Sequence, residues 1–266
     1  MLETNQKIPI LLYHALFDKE ANTEKYAISK AEFEKQIKYL SEKGFKSLSP
    51  ADFFETGKSV KSKKDAIVVT FDDGNYSDYS IAFPILKKYG FGAVFFVTTN
   101  WVGTKNYMTW SNLKEMAENG MSIQSHSMTH SFLSDLSPDN LYKELNESRN
   151  IIGENLNIIA DYISLPGGFC SRKVLNTAKD AGYKAVYTSS PGLNGLDCKE
   201  KDFTILNRFV ITKKTSFEDF KAIVNRDKKK IALYILEHYF KSSIKKILGS
   251  KRYYTIWSRF FKYDAN

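Results

Sequence analysis

The sequence predicts an α/β fold, a mostly parallel sheet or barrel flanked by helices and followed by a basic C-terminal helical tail. Two observations carry the prediction. Short runs of β-branched and aromatic residues alternate with amphipathic stretches of helical length between residues 8 and 211. Strands separated by such helices pair in parallel, because the chain must cross back before the next strand. The cationic excess, in turn, is confined to the end of the chain: residues 226–266 hold eleven Lys/Arg against Asp227, Glu237 and Asp264, a balance of +8 out of +9. Residues 1–225 are therefore expected to form one nearly neutral domain, and 226–266 a C-terminal extension.

Each element follows from its own residues. IPILLYH (8–14) is apolar enough for a buried strand, AEFEKQIKYLSEKG (31–44) has helical spacing and a terminating glycine, and AIVVTF (66–71) is a second buried strand. YSIAFPILKKYG (79–90) is predicted helical despite Pro84, FGAVFFV (91–97) a strand, TWSNLKEMAENG (109–120) a helix capped by Thr109 or Ser111, and MSIQSH (121–126) a short strand. SPDNLYKELNESRNIIGENL (137–156) is a long helix, IADYISLP (159–166) strand-like, SRKVLNTAKDAG (171–182) a helix, and YKAVYT (183–188) and TILNRFVI (204–211) short strands. In barrels of this kind the chemistry sits at the C-terminal ends of the strands.

Composition narrows the function classes. No apolar run approaches the roughly 20 residues that span a bilayer. The opening MLETNQKIPILLYH lacks a basic segment followed by an apolar core and small-residue cleavage site. The expectation is a cytoplasmic protein, peripheral at the inner membrane face if the tail binds there, and secreted only if a leader has been trimmed from the chain. Cys170 and Cys198 fit neither a metal pair nor a disulfide framework.

Two strand ends stand out. AIVVTF runs into Asp72, Asp73 and Gly74, although adjacent carboxylates repel and are costly to bury. Neighbouring side chains on a strand point to opposite faces, so the two can share a pocket only if the chain leaves strand geometry, a freedom Gly74 supplies. A loop in which one aspartate caps the next helix is the plain alternative. The second end holds two of the four histidines, His126 and His130 in SHSMTH. Two imidazoles and a carboxylate at neighbouring strand ends leave coordination positions open, which suits a catalytic metal. A non-haem iron oxygenase would use the same donors.

TFDDG followed by SHSMTH, together with PILLYH, AFPILKKYGFGAVFFV, MTWSNLKEMAENGMSIQSHSMTHSFL and LNRFVI, resembles the polysaccharide deacetylase family, the NodB-like carbohydrate esterases of family 4, over about residues 7–225. The resemblance implies a distorted (β/α) barrel and hydrolytic removal of N-acetyl groups from an N-acetylated glycan. It assigns Asp72 as general base and Asp73, His126 and His130 as ligands of a divalent metal, commonly zinc. For the proton donor it offers His14, ending PILLYH, or His238 in LEH (236–238); His14 is preferred because it ends a predicted barrel strand. The family's third motif departs here. Where an arginine or aromatic usually precedes the proline, this chain has Ser164, Leu165, Pro166, Gly167 and Gly168, which leaves Asp72 without a charged anchor in that motif. Pro166, Gly167 and Arg208 are expected to line the substrate site, with Arg208 in LNRFVI also supplying a replacement charge near the pocket. Tyr76, Trp101, Tyr107 and Trp110 lie in or beside predicted loops, where aromatics can stack on sugar rings.

The tail allows three readings: packing on the barrel, contact with an anionic membrane surface, and nucleic-acid binding. The last ranks lowest, because no recognition motif accompanies the charge and the body is nearly neutral. For the whole chain, a metal-dependent deacetylase competes with a glycan-binding protein on the same barrel. The complete Asp72, Asp73, His126 and His130 set favours the enzyme.

Overall fold

The computed structural model describes residues 7–18, 26–55, 65–168, 170–195 and 203–248. Residues 1–6, Cys198 and the aromatic-rich stretch 249–266 lie outside them. The apolar runs form β1 (Ile10–Tyr13), β2 (Ala66–Phe71), β3 (Val94–Val97), β4 (Ser122–Ser125), β5 (Tyr162–Ser164) and β6 (Ala185–Tyr187), each parallel to the next. Tyr13 lies opposite Phe71, Phe71 opposite Phe95 and Val97 opposite Ser125, so these strands end nearly level.

The stretch 204–211, expected as one strand, is two. β7 (Thr204–Leu206) pairs with β6, while β8 (Phe209–Val210) pairs with β1. The nine-stranded sheet therefore runs β7-β6-β5-β4-β3-β2-β1-β8, with Lys46–Ser47 beside β2, and its two edges are successive pieces of one segment. That connection curls the sheet into a barrel-like form. A ladder cannot continue through the break, so Asn207 bonds sideways instead: its N–H donates to Asn194 Oδ1, and its carbonyl accepts from Asn194 Nδ2, both at 2.8 Å.

Helices cover the outside: α1 (Lys30–Glu42), α2 (Phe83–Tyr89), α3 (Trp110–Glu118), α4 (Pro138–Leu156), α5 (Arg172–Asp180), α6 (Phe217–Val224) and α7 (Lys228–Leu248). The predicted helix 79–90 begins as a wide π turn over Asp78–Ala82 and becomes α-helical at Phe83. Pro84 is accommodated because it falls in the first turn of α2, where a missing N–H leaves no helical bond unmade. Thr109 rather than Ser111 caps α3, in a reciprocal box with Asn112.

Strand parity divides the core. Ile10, Ala66, Val68, Val94, Phe96, Tyr187 and Leu206 pack inside the curl. Leu11, Tyr13, Val69, Phe71 and Phe95 face the outer helices, as do Ile163 and Val186 on the α4 and α5 side. Parity on β2 thus turns Thr70 inward, and Asp72 after it. Likewise Ile123 and Ile163 face out, which points His126 and Ser164 in. The tail helix α7 begins where Arg226 donates to the carbonyls of Lys7 and Ala66, at the end of the sheet opposite these residues. It packs through Ile231, Tyr234 and Ile235. Among the described residues no helix is long and apolar enough to cross a membrane.

Candidate active site

Asp72 is held by parity and by a cation. It is 2% exposed, and Arg208, wholly buried at the β7–β8 break, grips it with two parallel hydrogen bonds, Nη1 to Oδ1 at 2.7 Å and Nη2 to Oδ2 at 2.8 Å. Arg208 also donates to the Thr188 carbonyl, Thr70 Oγ1 and Ser164 Oγ, and lies over the rings of Phe96 and Tyr187. Ser164 Oγ donates in turn to Asp72 Oδ2 at 2.8 Å. Burial opposes the charge on Asp72, but Arg208 and then His126 overcome it and hold the carboxyl below its usual range. The charge missing from the third motif is therefore supplied from the β7–β8 break, and Ser164 of that motif bonds to both partners. Expected among the substrate-binding residues, Arg208 has no exposed surface: it positions Asp72 from below.

Asp73 should face away from Asp72, and backbone conformation brings it back. Its φ is +79° and that of Gly74 is +84°, two successive left-handed residues where glycine alone was expected to turn the chain. Gly74 is required for a second reason, since a Cβ there would sit 3.1 Å from Val97 Cγ1. The turn places Asp73 Oδ1 3.4 Å from His126 Nε2 and 3.4 Å from His130 Nε2. One donor atom from each of the three lies within 4.8 Å of the others.

The loop carrying both histidines is fixed from several sides. His126 Nδ1 meets the Ser164 carbonyl at 3.0 Å, which leaves Nε2 to present its lone pair. Ser127 and His130 adopt positive φ, and the His130 N–H donates to Ser127 Oγ. Glu144 on α4 accepts from the backbone N–H groups of Met128 and Thr129, each at 2.9 Å, and from the Thr129 hydroxyl. Trp101 stacks on the His130 ring with 4.9 Å between centroids, and Tyr107 packs against Trp101. Two imidazoles and a carboxylate with His126 oriented from behind suit a divalent cation such as zinc, and the arrangement leaves room in the coordination sphere. Burial works against ionisation of Asp73, yet the bonds from His126 and His130 hold its carboxyl well below the ordinary range. Burial of His126 is likewise outweighed by Asp72 and Asp73, and its pKa is raised.

His14 follows β1 at the same rim. The half-buried ring stacks on Tyr26 at 5.0 Å, and its Nδ1 is buried with no hydrogen-bond partner. Burial lowers its pKa against the pull of Asp73 and Asp72. His238 sits near Tyr239 on α7, the helix that starts at the opposite end of the sheet. At the end of β5, Pro166 is buried while Gly167 is exposed at φ +65°. Of the loop aromatics, Trp101 and Tyr107 flank the cluster, Tyr76 is exposed near Tyr79, and Trp110 packs on the core.

Sequence reasoning missed Thr70, Glu144 and the structural role of Ser164. Each carried a signal: Thr70 and Ser164 are polar at inward positions of apolar strands, and Glu144 lies on the buried stripe of α4 with Leu141, Leu145 and Ser148. Asp78, also missed, is fully buried, and the Asn75 backbone N–H is the one group that favours its charge. Burial and the nearby charges of Asp73 and Asp72 push its pKa well above normal.

The geometry thus sets a buried, cation-paired carboxylate beside a two-histidine, one-aspartate group that could hold a metal ion, at the C-terminal rim of a parallel, barrel-like sheet. Residues 59–186 match the polysaccharide deacetylase family model. YxkH of Bacillus subtilis strain 168 is 33% identical over 197 residues, 73% of this chain and 69% of YxkH. The chain belongs to the polysaccharide deacetylase family. It is also 31% identical over 185 residues to the poly-β-1,6-N-acetyl-D-glucosamine N-deacetylase of Staphylococcus aureus strain MSSA476, spanning 63% of each chain. Among solved structures, the Streptococcus pyogenes deacetylase PplD in complex with acetate superposes with a TM-score of 0.74 at 29% identity, covering 82% of this chain and 98% of that one.

Proposed function

We propose that this protein is a metal-dependent hydrolase that removes N-acetyl groups from a glycan of N-acetylglucosamine units. The observation that carries the reading is Asp72, buried and kept ionised by Arg208, beside the Asp73, His126 and His130 cluster yet separate from it. The staphylococcal relative, named for a β-1,6-linked N-acetylglucosamine polymer, supports the substrate class, and the acetate held by PplD is the small product such a reaction releases.

Asp73, His126 and His130 would hold the cation, which when bound supplies Lewis acidity and lowers the pKa of a coordinated water towards roughly 7. The chain's own groups do the rest. Asp72 accepts the proton of the attacking water. Its Oδ2 already takes bonds from Arg208 and Ser164, whereas Oδ1 takes one from Arg208, so Oδ1 has the freer lone pair. His14 delivers a proton to the departing amine nitrogen. Burial favours its neutral ring, so it takes up that proton only after the attack, as Asp72 gives up the one it took from the water. The charges of Asp73 and Asp72 draw a proton there, and the proton lost by water balances the one gained by the amine. Trp101 and Tyr107, beside His130, border the side on which the sugar would lie.

Acetate release from β-1,6-linked N-acetylglucosamine oligomers, measured with and without chelator, tests the reading. Release that stops with chelator and returns with zinc is expected. A metal-loaded protein that binds the oligomers and frees no acetate would be a glycan-binding protein on this fold.

A further inference from the structure

The tail helix α7 has two apolar faces. One, formed by Ile231, Tyr234 and Ile235, is turned to the core, where Tyr234 meets Phe209 edge-on. On the other, Leu233, Leu236 and Phe240 are 60%, 68% and 69% exposed. At about 100° per residue these three fall in a stripe roughly opposite Ile231, and Ile244 and Ile247 continue its spacing in the sequence. A single exposed leucine is ordinary, but an aligned stripe is not. The same helix is cationic in sequence. Residues 228–248 hold six lysines against Glu237, a net +5. Lys228, Lys229 and Lys230 are exposed; the Lys230 ammonium pairs with Asp219 at 2.8 Å, whereas neighbouring Asp227 is engaged with the backbone N–H groups of Lys229 and Lys230, which leaves Lys228 and Lys229 as the charges the helix start offers.

We propose that α7 seats this face in the surface of an anionic lipid bilayer, with the stripe at the acyl boundary and the lysines at the phosphate headgroups. The charge chooses among occupants. A second copy of the chain would set +5 against +5, and nucleic acid would satisfy the lysines while leaving the stripe in water. Only a surface that is apolar beneath and anionic above meets both. The helix starts at the end of the sheet opposite the metal cluster, through Arg226 to Lys7 and Ala66. Docking there leaves the active site uncovered, so the inference is independent of the proposed chemistry.

The test is co-sedimentation of the full chain with phosphatidylcholine vesicles and with vesicles half phosphatidylglycerol. Binding to the anionic vesicles should be at least about tenfold stronger, and should disappear near 1 M salt, where charge is screened within about 3 Å. Leu236→Glu with Phe240→Glu should weaken it at least about tenfold, and so should Lys228→Glu with Lys229→Glu, because stripe and charge act together. Both variants should keep wild-type metal content and acetate release, which shows that they fold. Failure of the wild type to bind anionic vesicles overturns the proposal, as does equal binding to neutral ones. A dimer in sedimentation velocity that the Leu236/Phe240 variant disperses would make the face a self-association surface instead.

Discussion

A carboxylate with 2% exposure stays ionised next to a second carboxylate only if a cation is built in with it, and at Asp72 that cation is Arg208. Arg208→Met removes the pair and leaves the buried charge of Asp72 uncompensated. Because Arg208 lowers the pKa of Asp72, its loss must raise it. The acid limb of the pH–rate profile of the metal-loaded enzyme should therefore move to higher pH, with stability reduced by about 3–5 kcal/mol. An unmoved limb would show that Arg208 does not set the ionisation of the base. His14→Ala should retain fold and metal and lose on the order of 10²–10⁴ in turnover, checked by metal analysis alongside initial rates. The four polar residues of the cluster and base were legible in the sequence because two strand ends each gathered unusual chemistry. Arg208 was legible only as a nearby charge. Its partner could not be read, since the pairing joins residues 136 apart through a strand break that the pattern of 204–211 does not reveal.

At the scale of elements, the loop between His126 and His130 has little regular structure to hold it, and a helix supplies the support. Glu144 satisfies two backbone N–H groups and a hydroxyl of that loop from α4. Glu144→Leu should weaken metal affinity by about 10–100-fold, as loss of an outer partner of a metal site typically does. Glu144→Gln should fall between, since an amide oxygen still accepts. Competition with a chelating dye would measure both, and unchanged affinity would reduce Glu144 to a packing role. Most elements of the barrel were readable because their apolar periodicity is unambiguous. The π turn before Phe83 and the break at Asn207–Arg208 were not, because both are imposed by where the chain must go next: one past the Asp73 turn, the other between the two edges of the sheet.

Across the whole molecule, two buried aspartates give stability opposite dependences on pH. Asp72, depressed in the fold, contributes stability present above the unfolded pKa of about 3.9 and lost as pH falls towards its folded value. Asp78, raised in the fold, stays neutral while its unfolded counterpart ionises, so it costs stability increasingly as pH rises above about 3.9. Asp78→Asn keeps the shape without the titration. Its Tm should exceed the wild type's at pH 8, with the gap closing towards pH 4, and a gap that is constant with pH would contradict this. The proposed chemistry divides labour between adjacent residues: Asp73 with the metal, Asp72 with the proton. Metal content and acetate release measured together on Asp72→Asn and His126→Ala test it most directly. Asp72→Asn should keep its metal and lose turnover, and His126→Ala should lose both. If Asp72→Asn lost its metal, or kept wild-type turnover, the assignment of Asp72 as the base would be wrong.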